Sequence, residues 1–88
     1  MNVTWGTTQR AERAVARSAA LDQRARFYTD DTISGYRDRR DDALRALERL
    51  GLEGWTEEQT TWSVDAWGTH GGREWRVLIV DGLQEVQP

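Results

Sequence analysis

The chain has 88 residues, 31% of them charged and 38% hydrophobic, and a formal net charge of -3. That length fills one core, so a single domain with stability on the order of 3–5 kcal/mol is expected. Five Trp, two Tyr and one Phe argue against a disordered chain, and the absence of Cys excludes disulfides and thiolate metal sites.

The N-terminal MNVTWGTTQR lacks the apolar core of a signal peptide, and no stretch approaches the roughly 18 apolar residues of a membrane span. A soluble, cytoplasmic protein without a membrane partner is therefore expected. All twelve basic residues are arginine. A GC-rich genome explains that bias without any ligand, although arginine is also the better bidentate partner for carboxylate and phosphate. Charge is unevenly spread: residues 1–29 hold five Arg against Glu12 and Asp22, whereas residues 30–58 hold nine acids against five Arg.

Val3 and Trp5 alternate with polar neighbours, as in a short strand ending at Gly6. Thr7 or Thr8 can cap a helix that runs from Gln9 to about Tyr28 through a segment rich in Ala and Arg. Ala11, Ala14, Val15, Ser18, Leu21 and Ala25 share one face of it, built of small residues suited to close approach. Arg10, Arg13, Arg17 and Arg24 fall in a sector of about 60° beside that face.

The turn-rich YTDDTISG then breaks the helix. A second helix is expected from about Tyr36 to Leu50, with Ile33, Tyr36, Ala43, Leu44, Leu47 and Leu50 on its apolar side. Asp41 and Arg45 form a supportive i,i+4 pair. Arg40 lies inside the apolar sector, where its stem covers the core or its head pairs with Asp30 or Asp31. Gly51 reads as the C′ glycine and Leu52 as its hydrophobic contact. Thr56-Glu57-Glu58-Gln59 matches a capping box and predicts one helical turn.

TWSVDAWGTHGGREWRVLIVDG (Thr61–Gly82) is a hairpin by its period of two on either side of a glycine-rich turn. Side chains opposite each other share a face, so the two apolar sets pair only across a loop with an even number of residues. A Gly71-Gly72 turn sets Val64 opposite Ile79 and Ala66 opposite Val77. A four-residue loop sets Trp62 opposite Ile79. Either way Trp62 and Trp75 face the core and Trp67 faces the other side with Leu78 and Val80. Arg76 lies beside Trp67 and can stack on it. Either a terminal segment, Val3-Trp5 or Leu83–Val86, covers this face, or it is an open patch with the composition of an interface hot spot.

The expected fold is thus α+β, with two N-terminal helices packed on a C-terminal antiparallel hairpin and a third short strand from either terminus. No catalytic, cofactor or metal motif is present. His70 is a lone turn residue, and the doublets Asp30-Asp31, Asp41-Asp42 and Glu57-Glu58 fit helix first turns. The glycines at 68, 71 and 72 lack the strand–glycine–helix order of phosphate-binding loops.

An enzyme is not expected. A non-catalytic protein-binding module is, of the kind found among phage and mobile-element accessory proteins that inhibit or modulate a host factor. Its partner-binding residues would be Trp67, Arg76, Leu78 and Val80, together with Arg10, Arg13, Arg17 and Arg24. The partner would be an acidic or apolar protein surface, with a homodimer as a further option.

The alternative rests on ALRALERLGL (Ala43–Leu52), which with the turn and hairpin after it resembles the end of a winged-helix domain over less than half the chain. That resemblance implies nucleic-acid binding. The segment in the place of the recognition helix is acidic, so the arginines of the first helix would carry the contact.

Overall fold

A computed structural model describes residues 6–29, 33–57 and 63–81, with side chains described for all of these except 33–38 and 57. The elements are α1 (Thr7–Leu21), β1 (Ala25–Thr29), α2 (Ile33–Arg49), β2 (Leu52–Glu57), β3 (Ser63–His70) and β4 (Arg73–Asp81). The strands form one mixed sheet in the order β1-β4-β3-β2, with β1 parallel to β4 and the other pairs antiparallel. The α+β class is as expected and the arrangement is not. One strand separates the helices and another precedes the hairpin. The strands expected from Val3-Trp5 and Leu83–Val86 fall outside the described residues.

The first helix is shorter than its composition predicts. At its start the Gln9 side chain accepts from the Gly6 N–H at 3.1 Å. It ends at Asp22, whose φ of 52° and ψ of 43° are left-handed, a conformation that Asp tolerates better than most side chains. Gln23 N–H closes this end on the Ser18 carbonyl at 3.2 Å. Residues 25–29 then alternate, with Phe27 and Thr29 buried and Arg26 and Tyr28 exposed. Ala25 therefore belongs to a strand and not to the helix face.

Ala11, Ala14, Val15 and Ser18 are the buried residues of α1. Their small size lets the helix lie close on the sheet, where the Ser18 hydroxyl accepts from the Arg76 backbone N–H at 2.8 Å. From α2, Ala43, Ala46 and Leu47 join Phe27, Ala66, Trp75, Val77 and Ile79 in the same cluster, so both helices cover one face of the sheet. Arg45 pairs with Asp42 instead of Asp41. Arg40 keeps 20% of its side chain exposed, with Nε 3.5 Å from Asp41; Asp30 and Asp31 are outside the described residues.

Gly51 ends α2 at φ 100° as a C′ glycine should, with its N–H on the Glu48 carbonyl at 3.3 Å. Leu52 opens β2. Thr56 and Glu57 close it, opposite Asp65 and Val64, in place of the helical turn their spacing suggested.

The hairpin has the register of the two-residue turn: Val64 faces Ile79 and Ala66 faces Val77. Gly71 and Gly72 have φ of 60° and 78°, which both central residues of a type I′ turn require. Trp75 is 2% exposed, inward as expected; Trp62 lies outside the described residues. Trp75 and Trp67 each rest on a glycine of the neighbouring strand. A Cβ at Gly68 would lie 2.8 Å from Trp75 Cζ2, and one at Gly54 would lie 2.6 Å from Trp67 Cζ2. Two bare backbone positions thus let a thin sheet carry a ring on each face.

Candidate interaction surface

Because β1 follows α1 after a three-residue link, the strand runs back beside the helix and a groove opens between them. Arg10, Arg13 and Arg17 of α1, Arg24 of the link and Arg26 of β1 all line this groove, whose volume is about 800 Å³. All four arginines expected to form a stripe are gathered there, although Arg24 stands beyond the helix. Arg26 is the member that sequence reasoning missed, since its segment was assigned to the helix. Among the described residues no Asp or Glu lines the groove.

Arg10 is held in place. Its guanidinium carbon stands 4.9 Å from the centroid of the Phe27 ring, and Nη2 donates to the Tyr28 carbonyl at 2.6 Å. Beyond it, Arg26 Nη1 donates to the Tyr28 hydroxyl at 3.3 Å. Arg24, at the end of the groove, also has the Asp65 carboxylate 3.9 Å away.

The residues around Trp67 occupy the sheet face opposite the helices. Trp67 is 38% exposed, whereas Leu78 and Val80 keep only 6% and 7% of their surface. Trp67 and Arg76 are thus the accessible members of the expected patch. Arg76 stands directly opposite Trp67, but its guanidinium engages Asp65 and does not stack on the indole. Nε reaches Asp65 Oδ2 at 2.9 Å, and Nη2 contacts the same oxygen. That hydrogen bond, and then the carboxylate charge, holds the Arg76 guanidinium above its ordinary pKa.

Asp65 is 8% exposed in its side chain and has Arg24 Nη1 at 3.9 Å as a second cation. Its Oδ1 has no hydrogen-bond partner. Asp65 was not singled out from sequence, yet the register places it diagonal to Arg76, within reach of a long side chain. The cleft here, about 540 Å³, mixes Arg24 and Arg76 with Glu53 and Glu74, so it carries no single charge preference.

Among the described residues no group of three or more His, Cys, Asp or Glu could hold a metal ion. Among them, too, no helix is long and apolar enough to cross a membrane. No protein-family model matches the chain, and neither does any curated protein or solved structure.

Proposed function

We propose that this chain is a non-catalytic protein-binding module that takes an acidic partner in the groove between α1 and β1. One observation carries the reading: arginines from three successive segments, Arg10, Arg13 and Arg17 of α1, Arg24 of the link and Arg26 of β1, line a single groove. Guanidinium groups pair bidentately with carboxylates, and Arg10 is already oriented by Phe27 and Tyr28. A preorganised cation loses less freedom on binding than a mobile one. Trp67 and Arg76, on the other face of the sheet, offer a second contact. A role in inhibiting or modulating the bound protein, as an accessory factor of a phage or mobile element, fits the small size and composition.

Nucleic acid is the second reading. It is favoured by Tyr28, 38% exposed at the groove's edge, since an aromatic among arginines suits base stacking over phosphate contacts. The net charge of -3 and pI near 5.1 weigh against it. A long polyanion that extends beyond the groove feels the chain's overall excess of acids, 15 against 12 arginines, whereas a short acidic segment feels mainly the field within a Debye length.

Fluorescence anisotropy with a labelled glutamate-rich heptapeptide and with a labelled single-stranded oligonucleotide separates the two. The peptide is expected to bind, and to lose at least tenfold in affinity in Arg13→Glu/Arg17→Glu with the melting temperature unchanged. Tight binding of the oligonucleotide alone, weakening steeply with salt, would establish the nucleic-acid reading instead.

A further inference from the structure

The groove's floor is the margin of the sheet. In the order β1-β4-β3-β2, β1 has β4 on one side and, among the described residues, no strand on the other. In a parallel pair, alternate residues turn both backbone groups toward the partner strand. The Tyr28 carbonyl is taken by the Arg10 side chain, so Tyr28, and by alternation Arg26, direct their backbone groups into the groove. We infer that the partner is an extended acidic segment that adds to the sheet as a fifth strand along the outer edge of β1. This rests on the groove being the contact surface.

Arginines stand on both sides of that edge. Phe27 faces the helices, so the α1 arginines lie on that side, and Arg26 projects from the opposite face of β1. An added strand points successive side chains to alternate faces. Carboxylates on one face would meet Arg10, Arg13 and Arg17, and those on the other would meet Arg26. The lengths agree as well. Five residues of β1 offer about 16 Å of edge, and Arg10 to Arg17 spans roughly 10 Å of helix axis. In the free protein Arg10 donates to the Tyr28 carbonyl; in the complex an amide of the incoming strand replaces that donor and Arg10 turns to a carboxylate. Such capping of an edge by a charged side chain also keeps the strand from pairing indiscriminately.

The test uses the intact chain and an acetylated, amidated heptapeptide of alternating Glu and Thr. Two further versions are N-methylated at one or the other set of alternate amides. A strand on an edge donates through one set only, so one methylated peptide is expected to bind at least tenfold more weakly than the other. Hydrogen exchange at the Arg26 and Tyr28 amides should slow on binding the parent peptide. If both methylated peptides bind as the parent does, strand addition is overturned. The groove reading then still stands, provided Arg13→Glu/Arg17→Glu abolishes binding of all three. If the parent peptide does not bind and a single-stranded oligonucleotide does, both readings fail together.

Discussion

Replacing Gly68 by Ala tests whether the junction of α2 and β2 crosses β3 as closely as the structure shows. A Cβ at Gly68 would overlap the Gly51 carbonyl oxygen, and it would lie 2.9 Å from the Gly51 carbonyl carbon and 2.8 Å from Trp75 Cζ2. None of these atoms can yield cheaply. The first two are backbone at a helix end pinned by the Thr69 N–H on the Gly51 carbonyl at 3.2 Å, and the third belongs to a buried indole. Overpacking costs about 1–3 kcal/mol where neighbours can shift; with backbone in the way we expect the upper end, about 3 kcal/mol. A domain of this size loses about 4–8 °C per kcal/mol, so the midpoint should fall by about 12–24 °C. Urea and thermal unfolding followed by tryptophan fluorescence measure it, because Trp75 sits over the substituted position. Gly71→Ala is the control: nothing lies within 4 Å of its added methyl, and only a φ of 60° opposes it, a cost of about 1–2 kcal/mol. A Gly68→Ala protein within about 0.5 kcal/mol of the parent, inside the range of ordinary surface substitutions, would refute the close crossing.

Three further substitutions address the sheet and the helix end. Trp67→Ala removes a partly exposed ring seated on Gly54, so it should cost about 2 kcal/mol, less than a fully buried aromatic, with binding of an acidic peptide to the groove retained in a titration. Arg76→Ala leaves the Asp65 carboxylate buried with one distant cation and should lower the urea midpoint. The Asp65→Ala/Arg76→Ala pair should recover part of that loss in a double-mutant cycle on urea midpoints. Asp22→Gly relieves the left-handed conformation at the end of α1 and should leave stability unchanged or raise it by up to about 1 kcal/mol, whereas Asp22→Val should lower it by more than that.

The hairpin was legible because two independent signals agree there: Gly71-Gly72 permits one turn type, and only an even loop keeps Val64, Ala66, Val77 and Ile79 on one face. The second helix was legible from its apolar period and from Gly51. Residues 22–29 were misread for a physical reason. Arg and Ala favour helix up to Ala25, and the chain turns at Asp22 without the Gly that usually marks a left-handed end. The signal available was Phe27-Tyr28-Thr29, three residues that favour strands, and it was outweighed by the run before it. That one miss hid the sheet's margin and with it the groove, although the four arginines of α1 and the link had been identified. The pairing of Arg76 with Asp65 was within reach of the register argument, since diagonal neighbours on one face meet when one side chain is long. The burial of Leu78 and Val80 could not be read from the hairpin alone, because it depends on packing outside the two strands.

The central claim is that an acidic segment docks between α1 and the edge of β1. Mapping amide chemical shifts by NMR while titrating the glutamate-rich heptapeptide tests it most directly. Shifts concentrated at residues 10–17 and 24–28, with α2 and β2 unmoved, are the predicted result. Shifts centred on β2 or α2, with residues 10–17 unmoved, would contradict it.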